Sequence, residues 1–245
     1  MQRLLSAVAS RAPTRTTPFC RPLVATPVPR PPPTHRLRRT QHTISNPTTI
    51  MSSDSDTIIS WYTNRNPMDW FRPPPGFDDE IRSRFGALTL QARTGALDAW
   101  AETPRGALAL VVLLDQFPRN MFRDSADAFA SDAHALRVAT GSIARGFDEL
   151  LGEKNRLFQM LLYMPLMHAE DLLAQVACRA LFGVLVRACR EEGALEQFTE
   201  LGAAAAERHL VCIQALGRFP KRNGVLERPM REEEVEWLEK YPGGL

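Results

Sequence analysis

The sequence predicts an all-α protein with about seven to eight antiparallel helices. Apolar residues recur at helical spacing through most of the chain after residue 53, and no stretch alternates apolar and polar residues as a half-buried strand does. The pair Asn223-Gly224 indicates a turn, but its flanks are not strand-like. Helices of this length joined by short loops stack as a short solenoid or a bundle.

Cap, glycine and proline signals divide the chain into helices. Ser53 or Asp54 can cap the first helix, and an acidic first turn, Asp78 to Glu80, favours the start of the second. The predicted segments are 54–63, 77–94, 104–117, 126–145, 153–164, 167–192, 195–216 and 231–241.

The third segment opens with Thr103 as N-cap and Pro104 at the first helical position. It is apolar on all sides, which predicts a central buried helix, and we expect Pro118 to end it. Ser125 and Gly146 then bound a helix of about 20 residues.

Pro165 predicts a break between the fifth and sixth segments, and Gly193 predicts the end of the sixth. Gly217 closes the long helix that follows. The last helix is strongly acidic, which indicates a solvated face, with docking side chains Val235, Trp237 and Leu238.

The first 50 residues differ in composition from the rest of the chain. They contain eight arginines, nine of the 19 prolines and no Lys, Asp or Glu. Residues 51–245 carry 22 basic and 28 acidic side chains, so a basic leader precedes a mildly acidic body. An acidic body argues against nucleic acid as the main partner.

The leader is typical of a mitochondrial or plastid transit peptide. We predict that residues 1–53 are transit peptide and linker, that residues 54–245 form a single helical domain, and that the protein lies in the mitochondrial matrix. A plastid location, a plain disordered tail, or a cytoplasmic protein translated from Met51 are the alternatives. No apolar run reaches the about 20 residues of a membrane span, so we predict no integral membrane segment.

The four cysteines include no Cys-x-x-Cys pair. Cys178 and Cys189 fall in one predicted helix, about 16 Å apart, which is too far for a disulfide. We predict that Cys178, Cys189 and Cys212 are small core residues in a reducing compartment.

The most suggestive polar residues follow Pro165. On one helix, His168 and Asp171 would share a face, and a carboxylate beside an imidazole supports a general base. His168 and Asp171 are therefore candidate catalytic residues of a hydrolase. Together with His209 they are weak candidates for a metal site, although we predict no cofactor. Alternatively, the imidazole is a hydrogen-bonded core group and Asp171 caps a helix or pairs with an arginine.

Two Phe-Pro segments, 117–120 and 219–223, each follow an apolar helix and offer basic side chains with an Asn. Facing each other, they would clamp an anion, because Arg binds carboxylate or phosphate bidentately. Alternatively, the arginines pair with Asp115, Glu170 or Asp171 and hold helix ends together. The predicted ligand-binding residues are Asp115, Arg119, Asn120, Glu170, Arg218, Arg222 and Asn223.

Four ordered motifs carry a family resemblance. They are Leu-Leu-Asp-Gln-Phe-Pro-Arg-Asn-Met-Phe-Arg (113–123), Ala-Phe-Ala-Ser-Asp (128–132), Tyr-Met-Pro-Leu-Met-His-Ala-Glu-Asp (163–171) and Gly-Arg-Phe-Pro-Lys-Arg-Asn-Gly-Val-Leu (217–226). The chain resembles, over residues 58–238, the family catalogued as domain of unknown function 924. The resemblance implies a tetratricopeptide-like helical array and no particular activity.

The chain departs from the family pattern at three places. Glu227 stands where members usually carry Gly, and Met230-Arg231 replaces the Ser or Thr with Pro that usually caps the last helix. We therefore expect this helix to fray. The leader has no family counterpart, which fits an added targeting segment.

These observations favour a domain that binds a small anionic ligand, a peptide or a protein partner through its His/Asp/Arg cluster. The alternative is a hydrolase that uses His168 and Asp171. In one version of this hypothesis, the two residues also bind a metal ion, and His209 is its third ligand. In a third reading, the polar cluster is structural and the function lies on a surface that the sequence does not mark.

Overall fold

A computed structural model describes residues 47–70, 72–190 and 192–242, and for residues 47–53 it describes the backbone only. This part of the chain is helical and contains no strand, so the all-α prediction is confirmed. The tetratricopeptide-like arrangement stays a prediction. The predicted transit peptide falls almost wholly outside the described residues.

The helices are α1 (Pro47–Thr63), α2 (Phe77–Arg93), α3 (Pro104–Val111), α4 (Phe117–Met121), α5 (Asp132–Ile143), α6 (Phe147–Gly152), α7 (Arg156–His168), α8 (Leu172–Ala188), α9 (Ala194–Leu216) and α10 (Glu232–Lys240). α1 begins seven residues earlier than predicted. No helix in the described ranges combines the length and the apolar character that crossing a membrane requires.

The core forms around α3, as its apolar sequence predicts. Every side chain from Ala107 to Leu114 is fully buried, and α1, α5, α6 and α7 pack against this helix. Thr103 caps it, because its hydroxyl accepts a hydrogen bond from the Gly106 N–H at 3.1 Å.

The prediction that Pro118 ends this helix is wrong. The chain continues from α3 through a π-helical segment, Val112–Gln116, directly into α4. Pro118 has no N–H to bond the carbonyl four residues earlier, that of Leu114. The hydroxyl of Ser131 donates to that carbonyl at 2.7 Å instead. A side chain from the segment before α5 therefore makes the proline tolerable inside the helix.

The predicted break at Pro165 is also displaced. α7 runs through the proline and ends at His168, and Ala169 takes an extended conformation. α8 then begins at Leu172, with the Asp171 carboxylate accepting from the Ala174 N–H at 2.7 Å. The prediction that His168 and Asp171 share one helical face is therefore wrong, because a helix boundary separates them.

α8 and α9 form a hairpin on the outer side of α7. Gly202 of α9 lies against the Phe182 ring, where an added Cβ would come within 2.4 Å of a ring carbon. Cys178, Cys189 and Cys212 are free and buried, which confirms their prediction as core residues.

The start of α10 is held firmly, so the expectation that it frays is wrong. Glu234 is fully buried, and its carboxylate accepts from the Arg231 N–H at 2.8 Å and from the Arg218 guanidinium at 2.5 and 2.8 Å. The acidic helix is thus not solvated at this position. Val235, predicted to dock, is 46% exposed.

Candidate functional site

The side chain of Asp115 meets that of His168 across 53 residues of sequence. Asp115 belongs to the π-helical segment and is fully buried. Its two carboxylate oxygens lie 2.8 and 2.9 Å from Nδ1 of His168, the last residue of α7. π-helical turns are rare and often occur at functional sites. The sequence predicted Asp171 as the carboxylate that orients His168. In the structure, Asp115 has this position instead.

Asp115 is held in its charged form. Burial by itself raises the pKa of this carboxyl, but Arg119 and His168 outweigh burial and lower the pKa to about 2. Arg119 Nη1 lies 3.0 Å from Oδ1, and Gln116 Nε2 donates to Oδ2 at 2.5 Å. A charged, fully buried carboxylate thus faces the imidazole.

His168 is correspondingly neutral at neutral pH. Burial and the nearby Arg119 charge lower the pKa of its imidazole, and Asp115 only partly offsets them. Nδ1 carries the proton and donates to Asp115, so Nε2 carries the lone pair. Within the described ranges, no side chain is hydrogen-bonded to Nε2.

Two arginines converge on one carboxylate oxygen beside this pair. Arg119 Nη2 and Arg222 Nη1 donate to Oδ2 of Asp132 at 2.9 and 3.1 Å. Arg222 also lies over the rings of Phe129 and Phe219, at 4.5 and 4.7 Å from their centroids. The two Phe-Pro segments therefore do bring their arginines together, and Asp132 joins them.

His209 of α9 completes the cluster. Its Nδ1 donates to the Ala205 carbonyl one turn earlier at 2.8 Å, and its ring meets Phe219 edge-on at 5.2 Å. Burial lowers the pKa of His209 to about 4, and the charge of Arg222 contributes a smaller part. Both imidazoles therefore keep Nδ1 engaged with the protein and carry the lone pair on Nε2.

The predicted metal set is not assembled. Asp171 is occupied as the N-cap of α8, away from His168. The described residues contain no group of three or more His, Cys, Asp or Glu side chains placed to hold a metal ion. In the part of the chain that the structure describes, no carboxylate is bonded to both His168 and His209.

The remaining predicted ligand-binding residues hold the fold together. Glu170 accepts from both Nη atoms of Arg228, at 2.6 and 3.0 Å, and from the Phe219 N–H at 2.7 Å. Asn120 faces Arg123, and Arg218 and Asn223 donate to Glu234. Of the arginine pairings predicted as the alternative, that of Arg119 with Asp115 is present, at 3.0 Å, whereas Glu170 pairs with Arg228.

Three side chains near His168 and Arg222 were not predicted from the sequence as site residues: Asp132, Phe129 and Gln116. Asp132 and Phe129 lie within the motif of residues 128–132, but nothing in the local sequence shows that this motif faces α7. Oδ1 of Asp132 is buried and has no hydrogen-bond partner within the described ranges.

Comparisons with known proteins agree with this architecture. Residues 58–242 match a family described as bacterial protein of unknown function (DUF924). A solved structure of a protein of unknown function from Agrobacterium tumefaciens, ATU0120, is 33% identical, with a TM-score of 0.66, and covers 78% of this chain and 99% of its own. No curated protein matches the chain. The chain therefore belongs to the DUF924 family of proteins of unknown function.

Proposed function

We propose that this domain binds a small anionic ligand, through a carboxylate or phosphate group, at the cluster of His168, His209 and Arg222. The observation that carries this proposal is the position of Arg222. Its guanidinium lies over two aromatic rings and donates to Asp132 and to the His168 carbonyl. The His209 imidazole lies against one of these rings, that of Phe219.

The electrostatics of the cluster support an anion. Burial lowers the pKa of Arg222, and the Arg119 charge lowers it further, so the positive charge is incompletely compensated. The pKa values of His168 and His209 are also lowered. An anion would supply the missing negative charge, raise these three pKa values and draw protons onto the imidazoles.

Calorimetric titration of the full chain tests the proposal. The probes are inorganic phosphate, acetate, and a short peptide with either a free or an amidated carboxyl end, each at fixed ionic strength. We expect saturable binding that tightens from pH 8 to pH 6, with proton uptake measured from buffers of different ionisation enthalpy. Arg222→Gln should weaken it at least about tenfold, the usual cost of losing a charged hydrogen bond.

Arg179→Gln is the matched control, because Arg179 is an exposed arginine paired with Glu207 on the α8–α9 hairpin. It should bind the probes as the wild type does. Absence of saturable binding across the panel, or wild-type affinity in Arg222→Gln, would refute the proposal.

A hydrolase is the second candidate, and the Asp115–His168 geometry favours it. His168 Nε2 would take a proton from a water molecule, while Asp115 keeps the Nδ1 proton and stabilises the imidazolium that forms. Arg222 would hold an anionic group of the substrate. This reading keeps the predicted role of His168 and assigns the orienting role to Asp115.

A panel of ester, amide and phosphoester substrates tests this candidate. Turnover should decline on acidification as His168 becomes protonated, and Asp115→Asn should lower kcat strongly. Asp171→Asn is the control, because Asn also caps helices well and the Asp171 carboxylate accepts from the Ala174 N–H, whereas the His168 Nδ1 bonds Asp115. Loss of turnover in Asp171→Asn, with full turnover in Asp115→Asn, would show that Asp171 and not Asp115 orients His168.

A further inference from the structure

A buried chain of hydrogen bonds leads from α1 to His168. The hydroxyl of Tyr62 donates to Gln116 Oε1 at 3.0 Å, and Gln116 Nε2 donates to Asp115 Oδ2 at 2.5 Å. Asp115 in turn accepts from His168 Nδ1 at 2.8 Å. Tyr62, Gln116 and Asp115 are all buried, so water does not compete for these bonds.

Tyr62 holds the far end of this chain of hydrogen bonds in place. Its ring stacks on Trp70 with centroids 4.9 Å apart, and the Trp70 indole N–H donates to the Tyr62 carbonyl at 3.1 Å. The ionised Asp115 carboxylate can only accept, so the NH₂ end of the Gln116 amide faces it and the oxygen end accepts from the Tyr62 hydroxyl. A flipped amide would place its oxygen against the Asp115 carboxylate.

We propose that Tyr62 and Gln116 are positioning residues that fix the Asp115 carboxylate and thereby set the proton affinity of His168. The amide N–H takes up part of the charge of Asp115, so the carboxylate holds an imidazolium less tightly. The imidazole then stays neutral, with its Nε2 lone pair directed away from Asp115. The functional meaning of this control rests on the ligand site proposed above.

Several other charged groups face His168, and the variants below leave them in place. They come from four elements packed around the end of α7: Arg119 of α4, Asp132 of α5, His209 of α9 and Arg222 of the turn after α9. Because these groups remain, a change in the titration of His168 reports on the Tyr62–Gln116 chain.

The test is an NMR titration of the His168 ring in the full chain without any ligand. Gln116→Met removes the donor to Asp115 at similar volume, and we expect the proton affinity of His168 to rise by about threefold or more. Tyr62→Phe keeps the ring and its stack on Trp70, and should give a smaller rise because the Gln116 amide keeps its bond to Asp115 but loses the donor that holds its oxygen in place.

A second Tyr–Asp–Gln cluster provides the matched control. Tyr163 donates to Asp148 at 2.7 Å and accepts from Gln159 Nε2 at 3.0 Å, in a buried position outside the His168 cluster. Tyr163→Phe should leave the His168 titration unchanged.

An unchanged His168 titration in both Gln116→Met and Tyr62→Phe overturns the proposal, as does an equal shift in Tyr163→Phe. If Gln116→Met does not fold, Tyr62→Phe alone decides. Since the titration contains no ligand, failure of anion binding overturns the proposed function and leaves this result standing.

Discussion

Arg222 donates a hydrogen bond to the main-chain carbonyl of His168 at 2.9 Å, although 54 residues separate them. The bond joins the turn after α9 to the last residue of α7, where the helix leaves its final carbonyls without intrahelical partners. The Gln175 side-chain amide of α8 donates hydrogen bonds to the neighbouring carbonyls of Met167 and Ala169, each at 2.7 Å. The backbone at His168 is thus held both from α8 and from the turn after α9.

Stability should fall on acidification because His209 is buried in its neutral form. Its folded-state pKa of about 4 lies below the unfolded value, about 6.5, so the unfolded chain binds the proton more readily. This stabilisation is present above pH 6.5 and is lost as the pH falls through 4, a change of up to about 3 kcal/mol.

Urea unfolding of wild type and His209→Gln across this range measures the effect. His209→Gln should lose less stability between pH 6.5 and 4, with a residual loss from His168, whose pKa is also lowered. Arg187→Gln, an exposed change at the end of α8, should follow the wild type. Identical curves for wild type and His209→Gln would show that His209 is not held neutral.

Ser131→Ala should destabilise the protein by about 1–3 kcal/mol, because it leaves the buried Leu114 carbonyl without a donor. Ser142→Ala is the matched control, since Ser142 is equally buried and bonds Val138, a carbonyl inside a regular helix. Chemical denaturation should show a markedly smaller loss for Ser142→Ala. Equal losses would mean that Pro118 does not depend on Ser131.

Glu227→Gly should raise stability by about 1 kcal/mol. Glu227 has φ of 52°, in the left-handed region that favours glycine, and the family resemblance implies Gly at this position. Glu227→Ala separates this cause from loss of the side chain, because alanine suffers the same strain. A gain in the alanine variant that matches the glycine variant, measured by urea unfolding, would exclude backbone strain as the reason.

The leader should direct the protein to mitochondria. Residues 1–50 fused to a fluorescent reporter are expected to localise there, because their positive charge and lack of acids suit import. Replacing the eight arginines with glutamine should abolish targeting, and a chain starting at Met51 should stay in the cytoplasm. Cytoplasmic fluorescence of the intact leader fusion would exclude targeting, and plastid fluorescence would select the alternative.

Local patterns predicted the helices well because caps and glycines act within one turn. Thr103 caps α3 and Gly217 closes α9 in a left-handed conformation, as expected. The helix of about 20 residues expected between Ser125 and Gly146 is wrong, because α5 spans only Asp132–Ile143 and Gly146 precedes α6. Proline was harder to interpret. Whether Pro118 ends a helix depends on Ser131, which reaches it from a later segment, and the local sequence does not show this contact.

The candidate site was predicted in part. His168, Arg119, Arg222 and Asp115 were singled out from the sequence, and the fold brings them together. The ion pair between Arg119 and Asp115 was among the alternatives, and the structure contains it. The pairing of His168 with Asp115 was not predicted, because the helix boundary after His168 turns Asp171 away and the π-helical segment turns Asp115 inward. Partner choice here depends on tertiary packing between residues more than 50 positions apart.

The π-helical segment also makes the site depend on chain length. Val112–Gln116 holds one more residue in its turn than an α-helix does. Deleting a single residue here should restore an α-helical turn and leave the flanking positions in register, so the apolar helix would persist while the wide turn that carries Asp115 would be lost. Asp115 would then no longer face His168. Two relatives whose sequences differ by one residue in the length of this segment would thus share the fold without sharing the site.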